Sequence, residues 1–163
     1  PRRTASIFSS PIRPILTMDD YAAACDTREA IDGRRLSKQS FFIMEKIAEV
    51  DAVIRARRSF AEKLYEVHPE VSFAALGDGD PMLHAKRDQA GFEERLEHLS
   101  DVFPKAVIEE VIDTFPRAEV ARDDVLDAFA VLWSAKRIAL STAERLPDEP
   151  SYDSCGIDMA IWD

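Results

Sequence analysis

The chain has 163 residues, a length that suits one domain with a sizeable core. Its composition, 46% hydrophobic and 32% charged without a run of about 18 apolar residues, predicts a globular protein and excludes a membrane span. The net charge of −10 argues against attraction of nucleic acid by the overall field of the protein.

Charge is distributed unevenly along the chain. Residues 1–60 contain 11 Lys/Arg and 8 Asp/Glu, whereas residues 61–163 contain 10 and 23. A nucleic-acid partner is therefore expected to contact residues 1–60, or to meet the acidic part through bridging metal ions. The simpler explanation is that the acidic excess only maintains solubility. Two cysteines and no apolar leader segment favour reduced thiols and a cytoplasmic protein.

The first third of the chain predicts mostly helix after an extended, proline-containing start. A short strand is predicted at residues 6–8. Thr17 resembles an N-cap for a helix over residues 18–32, and Gly33 would end that helix. Ser37 resembles a second N-cap, and apolar residues at helical spacing predict a helix over residues 38–57.

The remainder alternates short strands with helices. A strand is predicted at residues 64–67, followed by a helix that Pro69 opens and Gly77 stops. Apolar periodicity then predicts three more helices and a last strand: residues 91–99, residues 104–115, a long helix from Asp123 or Asp124 to Leu146, and a strand at residues 157–162.

The two predicted strands pose a structural problem. A pair of strands alone is marginally stable, and the first of them lies between helices as a buried parallel strand would. The chain is therefore either a helical domain with a minor sheet or a sheet protein whose partner strands lie outside this sequence.

The first candidate site follows the predicted strand at residues 64–67. Glu66 lies within that strand, and an unpaired charge in a short buried strand is unexpected unless it has a function. A structural role and a functional role are about equally expected for Glu66. His68 is more typical of a turn or cap, and Glu70 of the first turn of a helix.

The second candidate site lies at the start of the long helix. Asp124 and Asp127 are three residues apart and so share one helix face, while Asp123 would cap the helix. Two carboxylates suffice for Mg²⁺, which keeps several waters. The structural alternative is strong, because aspartate is favoured in any first helical turn.

The third candidate feature is basic. Arg34, Arg35 and Lys38 flank one predicted helix start, and Lys86 with Arg87 precedes another. Cations beside a helix N-terminus suit a phosphate group. A solvated basic surface is the alternative.

Several stretches, taken together and in order, resemble the family called domain of unknown function 429, whose members are described as predicted nucleases of the RNase H-like fold. They are GRRLSKQSFFIMEKIAEVD, EVHPEVSFAAL, KRDQAGFEERL, DDVLDAFAVLWSAKRI and GIDMAIWD. The fourth is also similar to the last catalytic helix of Holliday-junction resolvases.

The resemblance implies an α/β, RNase H-like fold of which this chain supplies the later strands and most helices. Residues 1–163 would form a single partial domain, with residues 1–60 a basic helical insertion and residues 61–163 the core. Family members open with a strand that carries an aspartate in a glycine-rich context, which this sequence lacks. A missing N-terminal segment or a second chain would then complete the sheet.

The resemblance also implies a metal-dependent nuclease that cleaves phosphodiester bonds with two Mg²⁺ or Mn²⁺ ions. Asp124, Asp127 and Glu66 would be the metal ligands and catalytic acids, and Lys38 and Lys86 would contact phosphate. The alternative is a non-catalytic interaction module that kept the RNase H-like fold. A nucleotide-binding phosphotransferase ranks last, because no glycine-rich phosphate loop is present.

Overall fold

Helices dominate residues 9–163, which are the residues that this computed structural model describes, the side chain of residue 58 excepted. The strand predicted at residues 6–8 lies outside them. The chain divides into two compact units, residues 1–64 and residues 65–163. The single RNase H-like domain inferred from the resemblance stays a prediction.

The first unit is built from short helices around a small apolar core. The core consists of Ile15, Ala24, Cys25, Leu36 and Met44. After a 3-10 turn at Arg13–Ile15 the helices are α1 (Tyr21–Asp32), α2 (Lys38–Phe42), α3 (Met44–Ala56) and α4 (Arg58–Ala61).

The ends of these helices correct two predictions. Asp20, not Thr17, caps α1, because its carboxylate accepts a hydrogen bond from the amide of Ala23 at 2.7 Å. Gly33 ends the helix as predicted, with a φ of 71°. The predicted helix over residues 38–57 is interrupted at Ile43, whose φ of −97° and ψ of −3° separate α2 from α3.

The second unit packs its helices around one long helix. They are α5 (Pro69–Leu76), α6 (Gln89–Ser100), α7 (Lys105–Thr114) and α8 (Arg122–Ala139), and α8 contacts the other three. Their core is a single apolar cluster that consists of Phe73, Met82, Leu96, Leu99, Ile108, Leu126 and Ala130. Within it, the hydroxyls of Ser72 and Ser134 lie 2.8 Å apart and join α5 to α8.

Helix α8 is shorter at its carboxyl end than predicted. It stops at Ala139, and Ser141 adopts a φ of 56° that turns the chain away from the helix axis. At the other end the N-cap is Ala121, which makes no side-chain cap bond, so Asp123 is not the cap that the sequence predicted. Asp123 and Asp124 instead occupy the first helical turn.

The described strands are short. Strand β1 (Arg145–Leu146) pairs antiparallel with β2 (Ile161–Trp162), and Val67 forms a parallel bridge to Trp162. The amide of Trp162 donates to the carbonyl of Glu66 at 2.8 Å. The strand predicted at residues 64–67 is thus one bridge, and the strand predicted at residues 157–162 is two residues long. The described chain is mostly helical with a two-stranded sheet. None of its helices is long and apolar enough to span a bilayer.

Candidate functional site

An aspartate at the start of α8 forms an ion pair with a lysine from the loop before α6. Asp127 Oδ2 lies 2.7 Å from Lys86 Nζ, and the Asp127 side chain is only 19% exposed. Its other oxygen, Oδ1, is buried and has no hydrogen-bond partner among the described residues. A buried carboxylate oxygen without a donor is costly, so Asp127 has an unused acceptor at this site.

Lys86 also approaches a second aspartate, since its Nζ lies 3.7 Å from Oδ2 of Asp123. Burial of Lys86 disfavours its charged form, but the hydrogen bond and charge of Asp127 and the charges of Asp123 and Asp124 raise its pKa. One ammonium group therefore neutralises a group of three carboxylates only partly.

The pKa of Asp127 is also raised, but for a carboxyl group a raised pKa disfavours the charged form. Burial raises the pKa of its carboxyl group, Lys86 lowers it, and the charges of Glu70 and Asp123 raise it again, leaving the pKa above that of an ordinary aspartate. Keeping the Asp127 carboxylate ionised therefore costs free energy, and an additional cation nearby would lower that cost.

Arg95, which is fully buried, connects the elements around the Lys86–Asp127 pair. The Nη2 group of Arg95 donates to both oxygens of Glu70, at 2.7 and 3.0 Å. Its Nη1 group donates to the carbonyls of Gly91 and His84, at 2.9 and 3.2 Å. Arg95 thereby ties the first turn of α5 to α6 and to the loop that carries Lys86.

That loop lies directly against α6 at Gly91. A Cβ added to Gly91 would overlap the carbonyl group of Ala85, so only glycine permits this approach. The amides of Leu83 and His84 also donate to the carboxylate of Glu94, at 2.6 and 3.0 Å. The position of Lys86 is thus fixed by backbone contacts and not by its own side chain alone.

The predicted site residues occupy different environments. Asp124 is exposed and influences Lys86 only through its charge. The side chains that affect the pKa of Asp127 are Lys86, Glu70 and Asp123, and Glu66 is not among them. Burial of the Glu66 carboxylate raises its pKa, and His68 lowers it. Lys38 is the first residue of α2 and belongs to the first unit.

The basic residues of the first unit are partly neutralised by their neighbours. Arg35 pairs with Asp26 and Glu29 on α1. Asp51 pairs with Arg13 and, one turn along α3, with Arg55. Contact of residues 1–60 with nucleic acid stays a prediction.

The donors at the start of α8 suit a hard divalent cation. Carboxylate oxygens are the ligands that Mg²⁺ and Mn²⁺ prefer, and Mg²⁺ commonly uses one or two protein carboxylates and completes its shell with water and phosphate. The spare oxygen of Asp127 and the nearby carboxylate of Asp123 fit that pattern. No group of three or more potential ligands arranged around a single point occurs among residues 9–163.

A surface pocket opens beside these carboxylates. Its volume is about 300 Å³, and its lining consists of Lys86, Arg87, Phe92, Ala121, Arg122 and Asp123. Lys86 and Asp123 line this pocket, and Lys86 also pairs with Asp127. The pocket is therefore continuous with the cluster of aspartates at the start of α8.

The sequence alone did not indicate that Glu70 pairs with Arg95. Arg95 follows Gly91 by one helical turn and precedes Leu99 by another, so it lies on the apolar face of α6. An arginine on a buried face needs a carboxylate partner, and this pattern could have revealed it. No local pattern could identify Glu70 as that partner, because it lies 25 residues away.

Comparison with known proteins places the chain in a family. The sequence profile of one family, described as Protein of unknown function (DUF429), matches residues 1–152. Comparisons with curated proteins and with solved structures find no match. Since the profile covers most of the sequence, from the first unit to beyond α8, the chain belongs to the DUF429 family.

Proposed function

We propose that this protein is a nuclease that hydrolyses phosphodiester bonds with Mg²⁺ or Mn²⁺, on an RNase H-like fold. One observation carries the proposal. Asp127 is a largely buried carboxylate with one oxygen paired to Lys86 and the other without a partner in the described structure. Such a group, with Asp123 close by and Asp124 in the same turn, is suited to hold a divalent cation.

In this proposal, residues of the second unit have separate roles in metal binding and proton transfer. Asp127, with Asp123 or Asp124, holds the metal ions, which supply an activated water and stabilise the leaving oxygen when bound. Glu66, whose pKa is raised by burial, is suited to accept a proton from a positioned water. The sheet would be completed by strands outside the described residues or by a second chain.

Lys86 has two roles in the proposal. Before metal binds, its ammonium group balances the charge of Asp127. With a cation held by Asp127, the flexible lysine side chain would be available to contact a substrate phosphate. Lys38, at the start of α2 in the first unit, is proposed as a separate phosphate contact.

A non-catalytic interaction module is the second candidate function. The observation that favours it is the same ion pair, because Lys86 already supplies Asp127 with a counterion without any metal. The two functions differ in one outcome, since the module binds a partner but transforms no substrate.

The test is a cleavage assay on the full chain with single-stranded and duplex DNA and RNA, in Mg²⁺, in Mn²⁺ and in a chelator. Cleavage of at least one substrate is expected only with metal. Asp127→Asn and Asp124→Asn should each abolish metal-dependent cleavage, because each removes a proposed metal ligand. The control is Asp113→Asn, an exposed position on α7.

Two results would contradict the nuclease. One is the absence of cleavage of every substrate under all metal conditions, which leaves the interaction module. The other is cleavage that persists in chelator or in the Asp127→Asn variant, because the activity would then not depend on this site.

A further inference from the structure

We infer that the pocket between Lys86 and Arg122 binds one nucleotide of a single nucleic-acid strand, with Arg87 and Arg122 as its main contacts. This inference rests on the proposed nuclease function and deepens it by naming where the strand is held. The pocket is lined by three cationic side chains, one phenyl ring and one carboxylate.

The pocket lining carries an excess of positive charge. Neither Arg87 nor Arg122 forms an ion pair with a carboxylate in the described part of the chain, although the protein carries a net charge of −10. Among the other exposed arginines, Arg35 and Arg55 pair with carboxylates, whereas Arg34 and Arg117 form no ion pair in the described structure. What distinguishes Arg87 and Arg122 is that both line one pocket. Two arginines that face one pocket without a counterion therefore suit an anionic ligand, and a guanidinium group matches the geometry of phosphate oxygens.

The Arg122 side chain is held by two neighbours. The Arg122 guanidinium lies over the ring of Phe92, 4.4 Å from its centroid, and donates to Gln89 Oε1 at 3.2 Å. These contacts hold the guanidinium plane in a defined orientation at the pocket wall. A nucleobase stacks on such a plane, and an unpaired base is free to do so, which favours a single strand over a duplex.

The size and position of the pocket also fit a nucleic-acid strand. Ligand pockets usually have volumes of about 300–1,000 Å³, so a pocket of about 300 Å³ suits one nucleotide unit. Lys86 lines the pocket and contacts both Asp123 and Asp127, so a strand held here runs next to Asp127. The pocket thus brings a phosphodiester to the acids that the nuclease proposal requires.

The experiment measures binding of a fluorescein-labelled single-stranded oligonucleotide to the full chain by fluorescence anisotropy, in chelator so that no cleavage occurs. The variants are Arg87→Gln and Arg122→Gln. The matched control is Arg117→Gln, an exposed arginine outside the pocket lining. Circular dichroism confirms that each variant is folded.

The inference predicts that each pocket variant weakens binding by about tenfold or more, as expected for the loss of a charged hydrogen bond. The slope of log K against log salt should fall by about 0.7 for each lost phosphate contact to a single strand. Arg117→Gln should bind within about twofold of the unaltered protein. An unlabelled mononucleotide should compete only weakly, and polyglutamate should not compete.

Four results would overturn the inference: no binding of the strand at low salt, equal binding by both pocket variants, competition by the mononucleotide at the strand's own affinity, or equal competition by polyglutamate. The third would assign the pocket to a free nucleotide, and the fourth to anions in general. Arg122→Lys separates stacking from charge, because it keeps the charge and loses the guanidinium plane.

The binding and cleavage measurements together distinguish failure of the pocket assignment from failure of the nuclease proposal. If Asp127→Asn still cleaves, or no cleavage occurs, while Arg87→Gln and Arg122→Gln lose binding, the nuclease proposal fails and the pocket stands. If metal-dependent cleavage requires Asp127 but both pocket variants bind and cleave normally, the pocket assignment fails and the nuclease stands.

Discussion

Lys86 and Asp127 form an ion pair with 2.7 Å between Nζ and Oδ2, although the sequence predicted one as a phosphate contact and the other as a metal ligand. The two residues are 41 positions apart and meet because the loop before α6 packs next to the start of α8. In the proposed nuclease, the lysine and a metal ion would be alternative counterions for the same carboxylate.

Replacement of the lysine should tighten metal binding. In Lys86→Gln the competing positive charge is gone, and one unit charge at about 4 Å is worth about 1 kcal/mol even in water, or about fivefold in affinity. Titration calorimetry with Mn²⁺ measures the change. Lys105→Gln, which removes an exposed lysine from α7, should leave the affinity unchanged. Weaker Mn²⁺ binding by Lys86→Gln would show that lysine and metal do not compete.

As the pH falls, metal binding should weaken at a higher pH than it would at a site built on an aspartate of ordinary pKa. Burial raises the pKa of Asp127, so the carboxyl group takes up its proton earlier as the pH falls, and a protonated group cannot bind metal. Carbon-detected NMR titration should place the midpoint of Asp127 above the ordinary aspartate range. A midpoint within or below that range would contradict the burial that the structure assigns to this group.

The raised pKa of Asp127 also makes the free energy of unfolding depend on pH. Between the ordinary aspartate pKa and the raised pKa, the folded state binds more protons at Asp127 than the unfolded state does. The contribution of Asp127 to the free energy of unfolding therefore falls as the pH rises through that window. Asp127→Asn should remove this part of the pH dependence, whereas Asp113→Asn should retain it.

Loss of Glu70 should destabilise the second unit strongly. Glu70→Ala leaves the fully buried guanidinium of Arg95 without its carboxylate, and an unpaired buried charge costs about 3–5 kcal/mol. Glu109→Ala is the matched control, since its pairing with Lys105 is exposed and worth about 0–1 kcal/mol. Denaturant unfolding followed by circular dichroism measures both. Equal losses in the two variants would contradict the burial of Arg95.

An alanine at position 91 should be destabilising, contrary to the usual effect in helices. Glycine to alanine within a helix ordinarily gains about 0.5–1 kcal/mol. At Gly91 the new Cβ overlaps the Ala85 carbonyl, so the loop must move, at a cost of about 1–3 kcal/mol. Displacement of Lys86 should also change Mn²⁺ affinity. A Gly91→Ala protein of unchanged or greater stability would show that the loop is not packed this closely.

Local sequence patterns predicted the elements whose ends are fixed locally. Helix α5 runs from Pro69 to Leu76 as predicted, because the proline suits a first helical position and Gly77 follows the last. Gly33 and Ser37 also have their predicted roles, the latter by accepting a hydrogen bond from the amide of Ser40 at 3.0 Å.

Predictions failed where two residues competed for one local role or where tertiary contacts decided. Thr17 and Asp20 can both cap a helix, and only the observed bond to Ala23 distinguishes them. The break at Ile43 and the early end of α8 are not marked by glycine or proline. Partners that are distant in sequence, such as Glu70 with Arg95, were inaccessible to local patterns.

The backbone bond between Trp162 and Glu66 joins the two ends of the second unit, and the rings of Tyr65 and Trp162 meet edge to face with centroids 5.4 Å apart. With its ends adjacent, this unit meets the geometric condition for circular permutation. A short linker could connect residue 163 to residue 65, and the chain could be opened at the exposed turn of residues 78–80. The order in which the helices are synthesised would then change while the Lys86–Asp127 pair and the Arg95 contacts stay intact.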